Sequence, residues 1–76
     1  MKADMKLRSG AVIPQISAAE AERKNYLTRT ILTRMHLMPM GDPAAYDENE
    51  DGSITYFFDP TRVVEAPPEL WYAPTQ

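Results

Sequence analysis

The chain has no cysteine. Disulfides, thiolate metal sites and cysteine nucleophiles are excluded together, and a protein this small without disulfides reads as intracellular rather than secreted. Histidine is nearly absent too. With His36 alone, no paired-histidine metal motif can be assembled, and neither a GxSxG elbow nor a glycine-rich phosphate loop is present. No run approaches the roughly 20 apolar residues that cross a bilayer, and the opening MKADMKLRSGAVIP lacks the apolar centre of a signal sequence. These absences predict a cytoplasmic protein with no membrane association, no cofactor and no enzymatic activity.

What is present is enough for one small domain. Of 76 residues, 43% are hydrophobic and 25% charged, with seven prolines. A chain of this length buries only about 60% of its unfolded surface, so its core is thin. Base is scarce in one half. Residues 1–40 carry seven Lys or Arg against three acids, whereas residues 41–76 carry a single base, Arg62, against eight acids. Such a two-ended charge distribution steers association with charged partners, or lets the two halves face and partly neutralise each other.

One helix is predicted from spacing. Ser17 with Glu20 three residues later forms a capping box, Glu20 and Glu22 suit the positive helix start, and Arg34 and His36 suit its end. Pro39 disfavours helical backbone at Met38, so the helix should run about 20 residues, to near Leu37. Leu27, Ile31, Met35 and Met38, with Ala21 and Leu32 beside them, form its core-facing stripe. Tyr26, Arg29, Thr30, Thr33 and Leu37 lie on the opposite side.

Around this helix the signals are for strands and breaks. SITYFF (53–58) and TRVVEA (61–66), separated by Asp59 and Pro60, predict a hairpin, and residues 11–13 are the candidate third strand. AVIPQI is interrupted by Pro14 and suits an edge strand or an extended arm. MPMGDPAAY reads as an irregular connection, and the proline-rich end, APPELWYAPTQ, as an extended tail. No internal repeat is visible. The expected architecture is α+β: one amphipathic helix on a short antiparallel hairpin or small sheet. A flexible N-terminal arm (1–10) precedes the domain (11–66), and the C-terminal tail (67–76) follows it.

DENEDGSI, residues 47–54, begins like a calcium-binding loop. Asp47, Asn49 and Asp51 alternate and Gly52 follows, but position 12 falls on Phe58 where a bidentate glutamate is required. The stretch is therefore read as a polar turn, and Asp47, Glu48, Glu50 and Asp51 as an acidic patch. No metal site is assigned. Protein recognition carries more signal. Tyr26, Arg29, Thr33 and Leu37 recur at spacings of three and four and include residue types enriched at binding hot spots. Met35, Met38 and Met40 supply adaptable apolar surface, and Trp71 and Tyr72 sit in a proline-restricted tail. The expected function is a non-enzymatic module that binds a larger cellular or host protein assembly and regulates or inhibits it, in the manner of phage factors directed at bacterial RNA polymerase. The alternatives are a nucleic-acid-binding accessory protein using Arg23, Lys24, Arg29 and Arg34, and a weak calcium-binding module. Oligomeric state is left open.

Overall fold

A computed structural model of the chain describes residues 3–71. Ser17 opens a helix as its spacing to Glu20 requires: its Oγ accepts the Glu20 N–H at 3.1 Å, and α1 runs Ala18–Arg23. There it stops. Asn25 takes left-handed backbone at φ 60°, its N–H donates to the Glu22 carbonyl at 3.0 Å, and the Tyr26 N–H donates to that of Ala21 at 2.9 Å. This is the Schellman arrangement, which satisfies the carbonyls a helix end leaves over. A short strand, β3 (Leu27–Thr28), follows, and Thr28 at once caps α2 (Arg29–Arg34) by accepting the Ile31 N–H at 3.3 Å. α2 also ends through a left-handed residue. Met35 is its C-cap, His36 is left-handed at φ 57° and donates to the Thr33 carbonyl at 3.2 Å, and β4 (Leu37–Pro39) leads away.

The expected helix of about 20 residues is thus corrected to two helices of six residues each. They form a repeat. Ile16 and Leu27 precede the caps Ser17 and Thr28, Ala21 and Leu32 are the buried fourth helical residues, and Asn25 and His36 are the left-handed exits. Each pair lies 11 residues apart. Eleven residues make three helical turns at about 3.67 residues per turn, so the apolar spacing runs through the break almost in phase and imitates one continuous helix.

The strands follow from these exits. β5 (Ala45–Glu48) and β6 (Ile54–Phe58) form an antiparallel hairpin with Ala45 opposite Phe57 and Glu48 opposite Ile54. β3 pairs on the other side of β6, Leu27 opposite Phe58, which makes β6 the central strand. A parallel bridge of Gln15 to Tyr46 covers the outer edge of β5. β7 (Val63–Glu65) pairs with β4, not with β6. The expected hairpin over 53–66 is therefore corrected: the hairpin partner of β6 lies upstream, across the acidic turn. The reason is local, because Asp59 Oδ1 accepts the Thr61 N–H at 2.8 Å and starts a one-turn 3-10 helix, Pro60–Arg62, that diverts the chain instead of reversing it.

Residues 11–13 do not add a third strand to that sheet. β2 (Val12–Ile13) pairs instead with β1 (Met5–Lys6), which lies within the expected N-terminal arm, and the Tyr46 hydroxyl donates to the Ala3 carbonyl at 2.7 Å. After β7 the expected extended tail begins as a helical turn, α3 (Pro68–Trp71). The Trp71 side chain and residues 72–76, Tyr72 among them, lie outside the described residues. Among the described residues no helix is long and apolar enough to cross a membrane. The architecture is a small α+β one with antiparallel sheets.

Adjacent Phe57 and Phe58 are both buried, because β6 is covered on its two faces. Phe57 packs with Ile16, Ala21 and Ala45, with Tyr26 against them. Of the expected stripe, Leu32 is 2% exposed, but Met35 is 56% exposed. Leu32→Ala should therefore cost about 2–5 kcal/mol, and Met35→Ala no more than about 0.5 kcal/mol, in denaturant unfolding. Equal losses would place α2 on the core by its Met35 side instead.

Candidate interaction surfaces

The β4–β7 ribbon has a readable parity. Met40 N–H donates to the Arg62 carbonyl at 2.9 Å and Ala66 N–H to that of His36 at 2.8 Å, so even-numbered residues turn their backbone groups toward the opposite strand. Met38 and Val64 are direct partners within this ladder, and their side chains share one face. On that face Met38, Met40 and Val64 are 38%, 62% and 42% exposed. Leu37, Pro39 and Val63, on the other face, are half-buried. A ribbon packed on one side is ordinarily polar on the other. This one carries three apolar side chains there, beside the exposed Arg62 opposite Met40.

Of the sequence-predicted contact residues, Arg29 and Thr33 are brought together. With Thr30 and Arg34 they line a concave surface of about 460 Å³ that includes no acid. Arg29 is held by its guanidinium, whose central carbon stands 5.4 Å from the centre of the Phe58 ring. Tyr26 and Leu37 are elsewhere. Each is the residue after a left-handed exit, Tyr26 half-buried against the core cluster and Leu37 half-buried in β4. Arg23 lies on the other helix, beside Ala19 and Glu22. Val64 was not among the predicted contacts. The signal available was the adjacent pair Val63–Val64, since neighbours in a strand point to opposite faces and two valines make both faces apolar.

The acidic stretch forms the tip of the β5–β6 hairpin. Asn49 N–H donates to the Ser53 carbonyl at 2.8 Å, Gly52 N–H donates back to that of Asn49 at 2.9 Å, and Gly52 supplies a φ of 89° that an L side chain resists. The side chains close on each other. Asp51 Oδ1 accepts both the Ser53 hydroxyl at 2.6 Å and its N–H at 2.9 Å, while Asn49 Nδ2 donates to the hydroxyls of Ser53 and Thr55. Asp47 Oδ1 accepts Gln15 Nε2 at 3.2 Å and the Glu48 N–H at 2.9 Å. Glu48 and Glu50 are exposed. Among the described residues, no three His, Cys, Asp or Glu side chains are placed to share a metal ion.

Two carboxyls titrate below their ordinary value of 3.8. For Asp51 the main cause is the Ser53 hydroxyl, followed by the Ser53 N–H; for Asp59 it is the Thr61 N–H, followed by its hydroxyl, with a smaller contribution from the Arg62 charge. A depressed native pKa stabilises the fold above the unfolded-state value and loses that contribution as pH falls through the native value. Thermal midpoints should therefore decline below about pH 4, and Asp51→Asn with Asp59→Asn should flatten the decline. An unchanged pH profile in the double variant would remove these two turns as its cause.

Comparison of the chain with protein-family models, with curated proteins and with solved structures finds no match, so its functional reading rests on its own residues and geometry.

Proposed function

We propose that this protein is a non-enzymatic binding module that attaches to a larger protein assembly and regulates it, with the outer face of the β4–β7 ribbon as its contact. The observation that supports the reading is the pairing of Met38 with Val64 on an exposed face, with Met40 beyond. Methionine conforms to irregular partners because its unbranched thioether has three rotatable bonds. An apolar strip of this kind, outside the core, has the character of an interaction site. The regulatory part of the reading is supported by size alone: so small a chain is suited to act by occupying a surface on a partner.

A second reading is nucleic-acid binding through α2. It is favoured by one feature, the convergence of Arg29, Thr30, Thr33 and Arg34 on a single acid-free concavity. Guanidinium and hydroxyl groups are the usual donors to phosphate oxygens. The acidic tip of the β5–β6 hairpin, with exposed Glu48, Glu50 and Asp51, opposes it.

Capture of a partner from a lysate of the source cells separates the two readings. Met38→Glu with Val64→Glu should reduce recovery of a specific protein at least about tenfold, as expected for loss of a buried apolar contact, while circular dichroism remains unchanged. Arg29→Ala with Arg34→Ala should leave that capture intact. If the arginine variant instead abolishes a salt-sensitive mobility shift of DNA or RNA, and the ribbon variant changes nothing, the nucleic-acid reading replaces the first.

A further inference from the structure

Four side chains of α2 alternate in type around one patch. Residues three and four apart on a helix are surface neighbours, so Arg29 stands beside Thr33 and Thr30 beside Arg34, with the arginines at opposite corners and the threonines at the other two. The concavity they line is on the side of α2 away from buried Leu32, and all four are exposed. It offers guanidinium and hydroxyl donors and no carboxylate. A helical threonine can turn its hydroxyl back to a carbonyl of the preceding turn. Among the described residues, neither hydroxyl here makes a hydrogen bond and neither guanidinium makes an ion pair. Arg29 is also oriented in advance, because its guanidinium carbon stands 5.4 Å from the centre of the ring of Phe58, a buried residue of the central strand. A guanidinium already placed loses less side-chain freedom on binding.

We propose that this patch binds a phosphomonoester, the dianionic terminal phosphate of a small molecule or of a phosphorylated side chain. Charge and shape select it. Two guanidinium groups bring two positive charges to one place, and a phosphomonoester carries about −1.5 to −2 at neutral pH with three acceptor oxygens. Each guanidinium can hold two oxygens in a parallel fork, and the hydroxyl beside it donates to another. A carboxylate has one charge and two oxygens, and a phosphodiester has one charge, so neither engages the whole set. This separates the site from the nucleic-acid reading above, in which the same residues meet successive diesters along a strand. The net charge of −3 opposes any anion at a distance. Salt screens that field beyond about 8–10 Å, however, whereas contacts within the concavity persist. The ribbon contact lies on β4 and β7, so the phosphate site neither needs nor excludes it.

Amide chemical shifts of the purified chain, followed during titration, read the binding. Adenosine monophosphate and N-acetyl phosphoserine are the two monoester probes, and the dinucleotide ApA, which has only a phosphodiester, is the control. Both monoesters should shift the amides of residues 29–34 and saturate one site with a dissociation constant of about 1 mM or below, while ApA binds at least about tenfold more weakly. Arg29→Ala with Arg34→Ala should weaken monoester binding about tenfold or more. Arg29→Lys with Arg34→Lys keeps the charge and loses the fork, and should weaken it about threefold or more. Matching circular dichroism spectra show that both variants are folded. Tighter binding of the nucleotide assigns the site to small molecules, tighter binding of phosphoserine assigns it to phosphorylated side chains, and either result supports the site. Absence of a saturable shift up to about 20 mM, some twentyfold above the expected constant, overturns the proposal. So does ApA binding as tightly as the monoesters, which returns α2 to the nucleic-acid reading. Unchanged binding by the lysine variant overturns it as well, because the patch is then only diffuse positive charge.

Discussion

At Asn25 and again at His36 the chain leaves a helix through left-handed backbone, and each exit feeds a strand. Left-handed backbone costs an ordinary L residue roughly 1–2 kcal/mol, less for asparagine, whose short side chain bonds locally. Hydrogen bonds just downstream offset that cost. After Asn25 come the Schellman hydrogen bonds and the pairing of Leu27 and Thr28 with Phe58 and Phe57; after His36 comes the pairing of Leu37–Pro39 with Val63–Glu65. Were residue 25 to continue the helix, β6 would lose one neighbour and the cover over Phe58 would move away. Both exits are therefore constraints on the whole fold, although each is settled within a few residues.

Tertiary structure grows from these exits by mixing the two halves of the sequence. β3 and β4, from the basic half, pair with β6 and β7, from the acidic half, so backbone pairing joins the halves together with the apolar packing of Ile16 and Ala21 on Ala45 and Phe57. Charge remains where backbone pairing does not use it. The arginines of α2 flank a concavity at one place, and Glu48, Glu50 and Asp51 gather at the hairpin tip at another. Arg29 links charge to core, since its guanidinium lies over the ring of Phe58, which is itself buried because β6 is central.

How much of this was legible in the sequence varies with the range of the interaction. Local chemistry was readable: the Ser17 cap, the turn at Asp51 and Gly52, and β6 itself. The helical break at Asn25 was not, because a period of 11 residues keeps apolar side chains in phase with an unbroken helix, and Thr28 lacks the glutamate that made Ser17 conspicuous. The residues that could have revealed it are Asn25 and His36 themselves, two left-handed-tolerant positions at equal distance from two hydroxyl caps. Strand pairing was the least accessible. SITYFF and TRVVEA are adjacent and strand-like, but Asp59 and Pro60 start a capped helical turn rather than a reversal, and no local rule announces that β7 belongs with β4. Of the predicted contact residues, Arg29 and Thr33 came together because they lie within one short helix, whereas Tyr26 and Leu37 were spread by the exits that precede them.

The places where the chain departs from local rules bear on function. The acidic tip departs from none: its glycine has the positive φ, its carboxylates accept its own N–H and hydroxyl donors, and its charge faces water. The ribbon departs from two. Its outer face carries Met38, Met40 and Val64 where a solvated strand would carry mostly polar residues, and among the described residues no strand pairs with the outer edge of β7. Met38 and Val64 cover part of each other across the ribbon, but the exposed remainder of these side chains adds nothing to the core. Local violations without a folding benefit belong to sites that something else completes. That asymmetry, rather than the more conspicuous cluster of acids, is what supports the proposal that the ribbon is the contact surface.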